Sequence, residues 1–483
     1  MSSPKDIVLF IDGTGQGPEK PNTNPTNVEG FAYFLNAEPL RSPDAIPRSL
    51  DGKSDIRAPG SSAVTGYLSG VGADTSSVFD WFPGGTGYGI AHAIRLAYKF
   101  LITHYQPLDR IFLFGFSRGA FAVRSLAGFV DCVGVGLRDV PADSLDQTID
   151  QAYFAYEYLQ GDTKALRLNI REYLHEYLSG STHDIREPNF DFATLPIYLI
   201  GIWDAVEALG LPAKASVATR VFNSYHQTKL PPNVSHAFHA LSLHELRSDF
   251  QPHLWTNKHS SLQIVKQRWF AGDHSDVGGG HPNRQLSDIS LLWMLGCVEQ
   301  ARFTAVRQLA KHVAQPAVPA NINQKWQDLI FCILPPKVRP ALQSYYELSS
   351  PLPLDSSFDP SVSTRLSSGH EIDYSQFRIG FGKTFGVRSQ DVQINALREV
   401  DQCTINGLLR LDPRFLGLDS SRQETLLKSA TWTSWSAAEK DLSTQVGEQA
   451  AEEMRLGLNQ PVKPNRPFVK KPPGKKDKDG EKQ

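Results

Sequence analysis

The chain has 483 residues, 40% of them hydrophobic, and a net charge of −2; it is long enough for two domains or for one large domain with insertions. The near-zero charge leaves no global electrostatic case for nucleic acid as a partner. Cys132, Cys297, Cys332 and Cys403 stand far apart with no C-x-x-C pair, which argues against a zinc knuckle and a disulfide framework and makes a reducing compartment the default.

DIVLFIDGTG reads as a strand from Ile7 to Ile11 that runs into a turn, and its apolar run is too short for a signal-peptide core. NTNP at 22–25 marks a polar loop, a helix can start at Asn27, and residues 36–62 read as a long surface loop rich in Pro, Ser, Asp and Gly. TGYLSGVGAD (65–74) holds a second strand that ends in glycines. Within 87–105, Ile90, Ala93, Ile94, Ala97, Phe100 and Leu101 share one side of a helix. Ile111–Phe114 has the continuous apolar character of a strand buried on both faces, and Ala120, Phe121, Val123, Leu126, Ala127 and Val130 continue as a helix.

Residues 141–190 are expected as a helical insertion. LPIYLIGIWDAVEALG (195–210) reads as strand then turn, 233–250 as a helix, 266–281 as a strand followed by a glycine-rich loop, and 286–303 as a helix with Ser287 or Asp288 near its cap. Strands alternating with helices predict an α/β protein with a mostly parallel sheet and helices on both faces. The α/β domain is expected over 1–303, a mainly helical extension over 304–460, and a disordered basic Pro/Lys-rich tail over 461–483. Contact of that tail with an anionic membrane stays open, though no amphipathic helix accompanies the charge. No stretch is long enough to span a bilayer, so the chain is expected to be soluble and cytoplasmic as synthesised.

The chemistry concentrates at GFSRG (115–119). A serine between two glycines, where a buried strand meets a helix, is the sequence form of a nucleophile elbow, G-x-S-x-G. Ser117 is then the nucleophile, at a helix N-terminus whose N–H groups can face a developing oxyanion. One oxyanion donor is expected from Arg118, the residue after the serine. The other is expected from an earlier strand-end loop, first Gly13–Thr14 and second the 69–72 stretch SGVG. A serine needs an imidazole base held by a carboxylate. His274 follows an apolar strand within GDHSDVGGG and is the chosen base, with His281 its nearest competitor; His236, His239 and His244 fall on the predicted helix. Asp204 directly follows IYLIGIW, at the edge where ligands meet open α/β sheets, and is the chosen acid; Asp276 is its rival, and Asp12 shapes a turn.

Several segments together resemble the α/β-hydrolase family that includes the catalytic domain of type VI secretion lipase effectors. They are DGT followed by PTNV, then GVG, FGFSRGAFAVRSLAG, GIWDAVEALG, HALSLHELRSDFQPHLW and WFAGDHSDVGGGH leading to LSDISLLWM, in the family's order over roughly 5–300, with DPSVSTR (359–365) resembling a later segment. Ala73 and Ala205 stand where the family often has Thr, and His281 where it has Tyr. The resemblance implies an α/β-hydrolase fold and a serine esterase with Ser117, Asp204 and His274 as its triad. It also implies a phospholipid or other acyl-ester substrate, and a secretion or immunity partner should the protein be exported by a specialised secretion system. This chemistry requires no metal and no organic cofactor. Two other readings are kept: a metal-dependent phosphohydrolase with Asp12, Asp273, Asp276 and His274 as ligands, and a non-catalytic scaffold of the same fold.

Overall fold

The computed structural model describes residues 4–18, 24–40, 46–48, 50, 63–70, 83–134, 137, 140–158, 169, 172–173, 197–206, 229–247, 250–258, 260–313, 337–344, 352, 354–367, 390–429, 432 and 434–455. Among these residues eight strands form one sheet: β1 (Asp6–Ile11), β2 (Glu38–Pro39), β3 (Val64–Leu68), β4 (Arg110–Phe116), β5 (Ile197–Trp203), β6 (Val234–Ser242), β7 (Ile264–Phe270) and β8 (Ser356–Phe358). Their order is β2-β3-β1-β4-β5-β6-β7-β8, and every neighbouring pair is parallel. Among the described residues the helices are α1 (Asn27–Phe34), α2 (Pro83–His104), α3 (Arg118–Val133), α4 (Ala142–Tyr158), α5 (His274–Gly278), α6 (Gln285–Gln300) and α7 (Val306–His312). They are followed by α8 (Pro340–Gln343), α9 (Pro360–Ser367), α10 (Gln390–Leu411), α11 (Pro413–Leu416), α12 (Ser420–Ser429) and α13 (Trp435–Arg455).

Side-chain alternation explains why β1 and β4 read as unbroken apolar runs. Ile7, Leu9, Ile11, Ile111 and Leu113 enter one core layer, which α2, α3 and α4 close. Val8, Phe10, Phe112, Phe114 and Phe116 enter the other, closed by α1, α6 and α7. A parallel strand covered on both faces has no polar side. In the second layer Phe10, Phe31 and Phe114 pack with ring centroids 4.9–5.3 Å apart.

Two expectations are corrected. Residues 233–250, predicted as a helix, supply β6, which is registered between β5 and β7. Pairing on both edges satisfies its backbone and buries Ala237, Phe238, His239 and Ala240, so tertiary context outweighs local helix preference. The glycine-rich loop after β7 contains a short helix, α5. The described part of 304–460, expected as a mainly helical extension, is mostly helix and also contributes β8 to the same sheet. It also buries Val338, Leu342, Phe358, Val362 and Leu397 against Leu241 and Trp269, while α10–α13 hold a further apolar cluster of their own. The tail, 461–483, lies outside the described residues, as does most of 159–190.

Because all eight strands run the same way, their carboxyl ends share one edge. Asp12, Ser117, Asp204 and the segment after β7 therefore meet there. Among the described residues no helix is long and apolar enough to cross a membrane.

Candidate active site

Ser117 stands between β4 and α3 with φ 58° and ψ −125°. Such a conformation costs a non-glycine residue about 1–3 kcal/mol and persists only where the surroundings impose it. Here they do. A Cβ on Gly119 would lie 2.2 Å from the Ile11 carbonyl oxygen, and one on Gly115 would lie 2.7 Å from the Gly119 carbonyl oxygen, so strand and helix meet where only glycine fits. The Ser117 N–H donates to the Trp203 carbonyl at 3.0 Å, tying the turn to β5. The Ser117 hydroxyl does not cap α3, although capping is the ordinary task of a serine in this position.

Asp204 follows β5, also at positive φ, 39°. Its N–H donates to the Ala240 carbonyl at 2.7 Å. The next residue is held by a neutral imidazole: the Ala205 N–H donates to His239 Nε2 at 3.1 Å, and burial lowers His239 to about 3. His274, the first residue of α5, places Nδ1 2.7 Å from Asp204 Oδ2. Its ring lies between Phe116 and Phe250, with centroids at 4.6 and 5.0 Å. Burial lowers the His274 pKa below its ordinary value, against the pull of Asp204. A neutral ring that donates Nδ1–H to Asp204 keeps its Nε2 lone pair for accepting a proton. Among the described residues no hydrogen bond joins Ser117 Oγ to this ring; His274 approaches the elbow through its packing on Phe116.

Asp204 is wholly buried. Burial by itself would raise its carboxyl, but the Arg339 guanidinium, with His274, holds it well below the usual carboxylate range. Arg339 Nη1 donates to Oδ1 at 2.6 Å and Nη2 to Oδ2 at 2.7 Å. The Ser242 N–H donates to Oδ1 at 2.9 Å. Sequence reasoning missed Arg339, which lies 135 residues from Asp204 in a segment of weak pattern.

The turn expected to supply the second oxyanion donor follows β1. The Gly13 N–H donates to its neighbour's carboxylate, Asp12 Oδ1, at 2.7 Å and is therefore already engaged. The turn itself does lie against the elbow, since a Cβ on Gly13 would come 3.1 Å from the Ser117 Cβ. Thr14 Oγ1 is buried with no hydrogen-bond partner. Of the rival stretch at 69–72, residues 71 and 72 lie outside the described residues, and the Gly70 N–H donates to the Gln16 carbonyl of the same turn at 2.9 Å. Arg118 opens α3, and burial together with Arg247 lowers its guanidinium to about 10. Asp12 accepts from Thr26 Oγ1 and from the Tyr67 hydroxyl, both at 2.9 Å. Burial, reinforced by the charge of Glu29, raises it to about 7.

The donors of the metal reading are not brought to one point: His274 is on Asp204, and Asp12 is on Thr26 and Tyr67. Asp273, Asp276 and His281 do come within 4.8 Å of one another. Asp273 and Asp276 form the capping box of α5, and His281 Nε2 lies 3.0 Å from Asp273 Oδ1. The helix that presents His274 is thus fixed by both rivals of the triad, Asp276 and His281. His244 accepts the Gly272 N–H at 2.9 Å just upstream, and His236 Nδ1 meets the Tyr198 carbonyl at 3.1 Å.

These features define an α/β protein with an all-parallel sheet whose carboxyl edge gathers a strained serine and a buried His–Asp–Arg chain. The family described as the catalytic domain of Tle1-like phospholipase effectors of the type VI secretion system matches residues 5–297, and the chain belongs to it. An uncharacterized protein of Saccharomyces cerevisiae, YEL023C, is 26% identical over 250 residues, which are 52% of this chain and 32% of the yeast protein, so the chain spans about a third of that relative. A crystal structure of an uncharacterized protein from Pseudomonas aeruginosa is matched over 92% of this chain and 74% of its own, at 14% identity and a TM-score of 0.34. The Tle1 effector bound to the VgrG spike from the type VI secretion system is matched over 58% of this chain and 51% of its own, at 17% identity and a TM-score of 0.25. Scores this low carry no residue correspondence.

Proposed function

We propose that the protein is a serine esterase of the α/β-hydrolase type that cleaves acyl esters of phospholipids through an acyl-serine. The observation that carries this reading is the 2.7 Å contact of His274 Nδ1 with Asp204 beside a serine held at φ 58°. Family membership supports the lipid substrate. In this mechanism Ser117 Oγ attacks the ester carbonyl carbon while its proton passes to His274 Nε2. The Arg118 N–H and the Thr14 turn stabilise the oxyanion. Collapse breaks the acyl C–O bond, and His274 returns the proton to the leaving lysolipid. Water then repeats the sequence and releases the fatty acid, restoring Ser117. Asp204 keeps the imidazole in the tautomer with Nδ1–H toward itself. Export by a type VI secretion system, with a secretion or immunity partner, is part of the same proposal through the family.

The test is to incubate the protein with mixed phospholipids and identify the products by mass. Lysolipid plus fatty acid is expected. Phosphatidic acid would overturn the ester reading in favour of headgroup cleavage, and loss of activity in EDTA with Ser117→Ala still active would favour the cluster of Asp273, Asp276 and His281 instead.

A further inference from the structure

We propose that Arg339 is a positioning residue of this site: its guanidinium fixes the Asp204 carboxylate and, through it, the orientation of the His274 imidazole. The proposal rests on the triad reading above. Both side chains of the ion pair are fully buried. Arg339 makes four hydrogen bonds: to the two oxygens of Asp204 at 2.6 and 2.7 Å, to the Ser242 carbonyl at 2.9 Å and to the Phe250 carbonyl at 2.8 Å. A planar fork on both oxygens fixes the plane of the carboxylate, which a single contact would not do. One of those oxygens, Oδ2, is the atom that faces His274 Nδ1. The Phe250 carbonyl ties the same guanidinium to the residue whose ring packs edge-on against His274.

Stability alone does not require such a pair, because a buried ion pair and a well-packed apolar pair of equal volume are often similar in energy. The arginine is anchored from outside the 5–297 family region. It precedes α8, whose Leu342 is buried with Val338 in the cluster around Trp269, and the Lys337 N–H donates to the Leu246 carbonyl at 2.9 Å. The stretch after residue 336 therefore completes the acid–base pair. The charged and titratable groups facing that pair are Arg339 itself, Arg247 and Glu245 beyond β6, and His239 within it. Removing Arg339 leaves the Asp204 charge uncompensated, which favours the imidazolium and moves the acid limb of kcat/KM to higher pH.

The experiment uses the full chain, a soluble p-nitrophenyl ester and a fluorophosphonate probe that counts reactive Ser117. For Arg339→Gln, kcat per labelled site should fall about 100-fold or more with KM within about twofold, and the acid limb should rise by about half a pH unit or more. Arg339→Lys keeps the charge but not the fork, so its limb should stay near the wild-type position while kcat falls about 10-fold or more. A merely structural Arg339 would reduce the number of labelled sites and leave kcat per site and the limb unchanged; that result overturns the proposal. So does a failure of both variants to fold, which would make Arg339 a folding residue. If the wild-type protein is not labelled at Ser117, or Ser117→Ala keeps full turnover, it is the triad reading that fails.

Discussion

Ser117 holds φ 58° without being a glycine, and close packing at Gly115 and Gly119 keeps it there. Replacing it by glycine removes steric strain of about 1–3 kcal/mol, offset by about 1 kcal/mol of backbone entropy. Ser117→Gly should therefore raise Tm by up to about 2 °C while abolishing ester turnover. A Tm below wild type in a calorimetric scan would show that the position is not strained. Asp12 carries a second local cost. Its carboxyl is raised from 3.8 to about 7 by burial and then by Glu29, so the folded state binds the proton more tightly than the unfolded chain. The associated stability is whole below pH 3.8 and is lost as pH rises through about 7. Between pH 6 and 8 the wild type should lose about 1 kcal/mol more than Asp12→Asn, read from urea melts at the two pH values. Equal losses in the two proteins would refute it.

Helix α5 is only five residues long, yet it carries His274 and is capped reciprocally by Asp273 and Asp276. That geometry separates the two candidate acids. Asp276→Asn keeps an oxygen for the Asp273 N–H, so the loss should stay within about 1 kcal/mol and turnover within about 10-fold of wild type. Asp204→Asn strands the buried Arg339 guanidinium without its counter-charge, at a cost of about 3–5 kcal/mol. It also removes the tautomer control, at up to about 10⁴-fold in kcat. Denaturant melts and kcat on the two purified variants decide the matter. If Asp276→Asn is the more damaging in folded protein, Asp204 is not the acid.

Across the molecule, the sheet does not stop where the strong sequence pattern stops. β8 pairs with β7, the Asp359 N–H donates to the Trp269 carbonyl at 2.9 Å, and Arg339 reaches Asp204. A chain cut after residue 303 loses all three and uncovers Leu241 and Trp269, which Val338, Leu342 and Phe358 otherwise bury. It should lack a cooperative thermal transition and should not label with fluorophosphonate. A cooperative melt with wild-type labelling would show that the remaining chain is dispensable.

What the sequence by itself determined is local. A buried strand, two glycines and an alanine-rich helix make the Ser117 turn legible within five residues, because the sterics that strain it are those of adjacent residues and of the strand beside them. Strand-end aspartates and a histidine after RWFAG are legible for the same reason: a parallel sheet brings every carboxyl end to one edge. Contacts across sequence distance were decided only by the tertiary structure. β6 is a strand because two neighbours pair with it, which overrides its own helix preference. The Gly13 N–H is engaged because Asp12 folds back on it. Arg339 is invisible in its own PPKVRP segment, because its role exists only once the fold brings it, across a sequence separation of 135, to a buried carboxylate that must not stay without a counter-charge.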